Sequence, residues 1–385
     1  MKFLDEIDVT GKKVVLRFDA ELPLNENGEV LNLIGLYRRI APSLQYLKEH
    51  QAAIILLTSN SSQKSIKNIV DKLSARFELK IKFADSLAKA KQESAHLEMG
   101  EVLLCENLAL NSEDAACDPS FAKELLQLGD IYVSDTFADA IKPSASTTTV
   151  FAINKTPVAG LLLKNELEYY DRSIVNPKRP FCVIIGGSRA APRIEILHNM
   201  AQKADKLLVG GALANTFLAA QGAQMGRSLI ERDLFPKILG FIGTLARRDS
   251  KVYFPVDFRI GDSIKSRGIA RCVTAQEVPA DSTVLDIGPA TSILFEEAIV
   301  NAETILWNGP MGTIENEDYT HGTTNLIQSL GAAHGLTVAG GVATEEAIRS
   351  MEFDHRFDHI SSGGQVFLDM MEGKSVPGLV ALGYK

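Results

Sequence analysis

The chain has 385 residues, more than a single hydrophobic core ordinarily covers, so two domains are expected. At 45% hydrophobic and 23% charged residues it reads as a globular protein, and a net charge of −8 argues against a nucleic-acid partner and against a broad electrostatic funnel for an acidic ligand. No run approaches the ~18 apolar residues of a membrane span, and the opening MKFLDEIDVTGKK lacks the apolar region of a signal peptide, so a cytoplasmic protein without membrane attachment is expected.

In chain order, strands are predicted at 13–17 (KVVLR), 53–58, 101–105, 131–134, 181–185, 206–209, 252–256, 283–287, 303–307 and 336–339. These runs are continuously apolar, as strands buried on both faces are. Between them lie helical stretches such as Leu44–His50, Pro119–Leu128, Ile194–Ala204 and Thr344–Met351. Repeated strand–helix units imply right-handed crossovers and parallel sheets. The stretch 160–180 (GLLLKNELEYYDRSIVNPKRP) is a periodic helix stopped at Asn176-Pro177, and it is the best candidate boundary. Cys105, Cys117, Cys182 and Cys272 are far apart and form no CxxC, so neither a zinc site nor a disulfide framework is suggested.

The second half carries glycines at successive strand ends: Gly186-Gly187, Gly210-Gly211, Gly288, Gly309, Gly340-Gly341 and Gly363-Gly364. One pair is ordinary turn chemistry, but six such places in one half favour a nucleotide-sized crevice at the carboxyl ends of the strands. There is no GxxxxGK[ST] and no GxGxxG, so P-loop and Rossmann readings lack their defining residues.

The run WNGPMG (307–312) followed by Glu315, with NPKRPFCVIIGG (176–187), KLLVGGALANTFL (206–218) and LDIGP (285–289), resembles the phosphoglycerate kinase family over essentially the whole chain. The resemblance implies two similar-sized, doubly wound parallel-sheet domains joined by a long helix. The expected bounds are 1–160 for an acidic-substrate domain, with 371–385 folding back on it, 161–178 for the helix, and 179–370 for a nucleotide domain. It also implies a monomer that transfers a phosphoryl group between 1,3-bisphosphoglycerate and ADP. In GGSRAAPR (186–193), Arg189 and Arg193 fall on the family's two phosphate-handling lysines. Gly187, Gly210, Gly211, Asn308, Pro310, Gly312, Gly341 and Thr344 match its nucleotide loops, and Glu315 matches the acidic residue that holds the ribose.

Other positions depart from the pattern. The family's Gly-Gly-Gly-Asp-Thr is here 340–344 (GGVAT), so the magnesium carboxylate is replaced by Ala343 and a branched Val342 stands beside it. Its Ser-Thr-Gly-Gly-Gly is 361–365 (SSGGQ), which removes one glycine, at Gln365, where backbone amides would meet the phosphoryl in transit, while Gly364 occupies a catalytic position of the family. In RFDAELPL (17–24), Arg17 and Asp19 survive while the substrate-contacting asparagine becomes Glu21. Anchored on Pro42, the catalytic arginine falls on Leu36; Arg38 lies two residues on, rotated by ~200° along a helix. Ser59 and Ser62 stand for a histidine and an arginine, Ala109 for an arginine, and Ile141, Lys142 and Ser144 for His, Arg and His. Arginines that stabilise a transferring phosphoryl are worth on the order of 10³–10⁵ in rate, so these losses together are expected to disable the kinase while leaving the fold. Three readings follow. One is a scaffold with residual nucleotide or protein-partner binding, in which ADP or ATP is held weakly and with little dependence on magnesium. The second is a working kinase with rearranged contacts, and the third an enzyme for a less acidic ligand held by Ser59, Asn60, Ser61, Ser62 and Glu21.

Overall fold

A computed structural model describes residues 1–20, 33–62, 64–245, 250–265, 267 and 270–384. The chain divides into two compact units, residues 1–167 with 375–385 and residues 168–374.

The first unit is built on seven parallel strands: β1 (Lys2–Phe3), β2 (Lys13–Phe18), β3 (Ala53–Leu57), β4 (Ile81–Ala84), β5 (Val102–Cys105), β6 (Ile131–Asp135) and β7 (Val158–Ala159). Their order is β1-β7-β6-β2-β3-β5-β4, which places β2 centrally with Arg17 opposite Leu57 and Ser134. Helices α1 (Leu33–Glu49), α2 (Val70–Phe77), α3 (Leu87–Ala95), α4 (Ser112–Ala115), α5 (Pro119–Leu126), α6 (Val150–Ile153) and α7 (Leu161–Tyr170) follow the strands, and a last helix, Pro377–Leu382, also belongs here. In α1 the stripe Leu36, Ile40, Leu44, Leu47 repeats at helical spacing and is buried in the core beside Val14, Leu16 and Ile54. The helix starts well before Leu44 and runs through Pro42, which supplies no N–H to the helical ladder but does not end it. The predicted helix over 161–178 is α7 followed by a π-helical turn, Asp171–Val175, and the unit boundary falls between Leu167 and Glu168.

The second unit holds a six-stranded parallel sheet of β8 (Phe181–Ile185), β9 (Lys206–Val209), β10 (Lys251–Tyr253), β14 (Thr304–Asn308), β15 (Leu336–Gly340) and β16 (His359–Ser361), in the order β10-β9-β8-β14-β15-β16. The remaining strands, β11 (Asp257–Gly261), β12 (Arg271–Thr274) and β13 (Thr283–Ile287), form a separate antiparallel sheet, so the predicted strand at 283–287 does not join the parallel one. Helices α8 (Ala191–Met200), α9 (Gly211–Ala220), α10 (Phe235–Leu245), α11 (Pro289–Ile299), α12 (His321–Gly331), α13 (Val342–Ser350) and α14 (Gln365–Glu372) complete it. Two core layers flank the parallel sheet, one around Phe181, Ile194, Leu213 and Phe367, the other around Trp307, Phe295, Ile327 and Ile348. Among the described residues no helix is long and apolar enough to cross a membrane.

Candidate functional site

In the second unit the carboxyl ends of β8, β14 and β15 lie side by side, with Asn308 opposite Ile185 on one side and Gly340 on the other. The turns that leave them are locked to one another by backbone bonds. Gly186 N–H donates to Asn308 O and Gly187 N–H to Pro310 O, each at 2.8 Å, and Gly211 N–H donates to Met311 O at 3.2 Å. Gly187 and Gly309 sit at φ +97° and +91°, a region that glycine enters without the clash a side chain suffers. A side chain on Gly186 would strike the carbonyls of Gly309 and Pro310, and one on Gly211 the backbone of Gly187. Those glycines therefore serve turn-on-turn packing first. Gly210 is likewise covered by the Met311 sulfur, and Gly340 by the Phe367 ring.

Asn308 donates from Nδ2 to Gly340 O at 2.7 Å, and its Oδ1 is buried with no hydrogen-bond partner. Thr344 is buried, and its hydroxyl accepts the Gly309 N–H at 2.8 Å. It holds the turn rather than facing outward. Pro310 is buried in the same turn. Thr323 Oγ1 accepts the N–H groups of Met311 and Gly312 at 3.0 and 3.3 Å. Behind Gly312 lies Asp286, whose carboxylate accepts Gly322 N–H at 2.7 Å and Ile287 N–H at 2.9 Å. Burial pushes its carboxyl up to about 7. Neither Thr323 nor Asp286 was singled out from the sequence, although Asp286 lies within the LDIGP run and a carboxylate that closes an apolar strand was the available signal.

The residues that remain accessible are few. Glu315 and Arg189 are exposed, and Arg193 is half-buried. The Arg193 guanidinium lies against the Cα of Gly187, and its Nη1 donates to Arg189 O at 2.9 Å. Burial lowers its pKa, the Glu231 charge raises it and the Arg189 charge lowers it further. Gly364, at φ +51°, has open space in front of it; the nearest atom a side chain there would meet is Val342 Cγ2, at 3.9 Å. Val342 itself is 70% exposed, an apolar side chain standing in solvent at the start of α13 after Gly341.

Magnesium does not fit the residues at that helix start. The ion takes oxygen ligands in a near-octahedral shell, usually through one or two carboxylates. Ala343 is exposed and presents a methyl group, while Glu345 is paired with Arg349 at 2.9 Å. Among the described residues no group of three or more His, Cys, Asp or Glu side chains is placed to hold a metal.

In the first unit the sequence candidates scatter between interior and surface. Arg17 is 1% exposed, and all three guanidinium nitrogens are used internally: Nη2 on Asp139 at 2.7 Å, Nη1 on Phe18 O at 2.6 Å and Nε on Ser146 Oγ at 3.3 Å. Asp19 is wholly buried, and it accepts the N–H groups of Phe137 and Ala138 at 2.7 Å and of Asp139 at 3.1 Å. Burial, with repulsion from Asp139 second, pushes its carboxyl up to about 7; the charges of Arg17 and Arg39 act the other way. Leu36 is 1% exposed and packed in the core. Ser62 is exposed, Ser59 and Ala109 are half-buried, and their loops are tied by Asn107, whose Oδ1 accepts Asn60 N–H at 2.8 Å and Ala109 N–H at 3.1 Å. Lys142 is exposed. Glu21 lies outside the described residues.

A family model described as phosphoglycerate kinase matches residues 4–374. The chain is 36% identical over 389 residues to the phosphoglycerate kinase of Aquifex aeolicus, covering 99% of this chain and 98% of that one. To the Desulfotalea psychrophila phosphoglycerate kinase it is 35% identical over 391 residues, covering 99% and 100%. Among solved structures, phosphoglycerate kinase from Coxiella burnetii superposes with a TM-score of 0.90 at 29% identity, covering 99% of this chain and 98% of that one. The structure from Pyrococcus horikoshii, at 24% identity and a TM-score of 0.82, shares the fold.

Proposed function

We propose, for a chain that belongs to the phosphoglycerate kinase family, that phosphoryl transfer is absent or severely reduced and that weak, magnesium-independent nucleotide binding is what the second unit retains. The observation that carries this reading is Leu36: at the place where the resemblance puts the transition-state arginine, an apolar side chain is sealed into the core of α1. The methyl group of Ala343 and the internal use of Arg17 support it. The backbone network around Asn308, Thr344 and Met311 supports the nucleotide half, because it needs no charge to stay assembled.

A second reading, a working kinase with rearranged contacts, has one observation in its favour. Arg39 lies three residues along α1 from Leu36, on nearly the same face, and its charge reaches Asp19. An assay that couples ATP formation from 1,3-bisphosphoglycerate and ADP to a chromogenic step separates the two. Turnover at least ~10³-fold below the ~10 s⁻¹ of a median enzyme is expected. A rate above about 1 s⁻¹ would reject the first reading in favour of the second.

A further inference from the structure

Glu231 closes the entrance to α8. The segment that follows α9 brings this carboxylate onto the backbone N–H groups of Ala190 and Ala191, the second at 3.3 Å. Its own N–H donates to Thr216 Oγ1 in α9 at 3.3 Å, and Lys237 in α10 pairs with Glu195 one turn into α8. A carboxylate at a helix start is stabilising, and capping alone would account for that much. Capping does not account for Arg193. It occupies the first turn of the same helix, its guanidinium is drawn back over Gly187, and its Nε is buried with no hydrogen-bond partner. The side-chain charge that favours the ionised guanidinium there is that of Glu231.

We propose that Glu231 is a built-in counter-anion of the 186–193 turn, a positioning residue whose carboxylate occupies the first amides of α8 and competes with ligand phosphates for Arg193. The inference rests on the nucleotide-binding reading above and makes it specific. A single carboxylate or phosphomonoester gains little by displacing an anion already in place, whereas a di- or triphosphate chain brings enough charge to do so.

The test compares the parent protein with Glu231→Gln and Glu231→Ala, titrated with ADP and separately with inorganic tripolyphosphate, in chelator at ~0.15 M salt. Glutamine keeps one acceptor oxygen, enough for the Ala190 N–H, while it removes the charge and the acceptor that meets the Ala191 N–H at 3.3 Å. E231Q is therefore expected to melt slightly below the parent and to bind both probes about three- to tenfold tighter, with a steeper salt dependence. E231A, which also loses the acceptor, is expected to melt earlier. A residue that served only as a cap would lower the melting temperature in one or both variants and tighten nothing, and that result overturns the proposal. If parent and E231Q bind ADP equally, the nucleotide reading stands and the counter-anion fails. If ADP is ignored by both while E231Q gains affinity for tripolyphosphate, the counter-anion stands and the nucleotide reading fails. If neither probe binds either protein, both fail.

Discussion

Replacing Asp139 by asparagine probes how the first unit tolerates a wholly buried guanidinium. Arg17 is 1% exposed, and Asp139 is its direct counter-ion at 2.7 Å. Asparagine can still accept the Nη2 hydrogen bond, so the change removes charge and little shape. A buried ion that loses its partner destabilises by about 3–5 kcal/mol, against about 0–1 for an exposed pair. Two features of the site reduce the larger figure. The charge of Asp114 also favours ionised Arg17, and neutralising Asp139 removes the repulsion it exerts on buried Asp19. A net loss of about 2–3 kcal/mol follows. Urea unfolding followed by far-UV circular dichroism would read it as a midpoint lowered by about 1 M, at a slope of about 2–3 kcal/mol/M. The chain's single tryptophan, Trp307, belongs to the second unit, so its fluorescence supplies a comparison from the unit that was not altered. A midpoint shift below about 0.3 M would refute the reasoning, because it would show that Arg17 does not depend on an internal counter-ion and is free to turn toward a ligand.

Two further outcomes are expected. Asp19 and Asp286, held near 7, and Asp135, raised to about 6 by burial, all bind a proton more tightly folded than unfolded, where the value is 3.8. The stability they contribute is thus complete below pH ~4 and is lost as pH rises through 6 to 7, so the melting temperature should fall from pH 5 to pH 8, by on the order of 5 °C or more; a flat or rising profile would contradict it. Glu101, half-buried, and Glu195, exposed, have lowered values, are already ionised across that window and leave the slope to the buried three. ADP should raise the melting temperature slightly and to nearly the same extent with magnesium and with chelator; a large rise abolished by chelator would mean that another oxygen ligand replaces Ala343.

The parallel sheets were legible because runs such as VVLRF, AIILL and FCVII bury every side chain, and such a run has few alternatives to a central strand. The short or half-exposed strands were not. IKFA at 81–84 is only four residues long, 257–261 alternates apolar with polar residues and 271–274 is mostly exposed, so none forms a continuous apolar run. In the second unit the glycines lie in turns at strand ends, where the sequence suggested room for a ligand, whereas several are filled by Met311, Phe367 or another turn's backbone. The polar residues that hold those turns, Asp286, Thr323 and Glu231, were the least legible. Their partners include backbone N–H groups 12, 36 and 41 residues away, and no local pattern encodes such a pairing.

Leu36 shows why fold and candidate site could part company. Exposed positions such as Ser62 and Ala343 can exchange charge for neutral chemistry at little cost in stability, since solvent already surrounds them. At position 36 the exchange acts in the other direction. A fully buried leucine contributes roughly 2 kcal/mol, and here it extends a stripe that packs α1 onto the central strands. An arginine in its place would have to bring a counter-ion or lift out of the core, because a lone buried charge is far costlier than the apolar contact it displaces. On the proposed reading, the substitution that removes the transition-state cation is therefore also one that consolidates the first unit. Restoring the charge at 36 alone would weaken the packing of α1 before it could return any chemistry, whereas restoring a carboxylate at the exposed Ala343 would meet no such resistance.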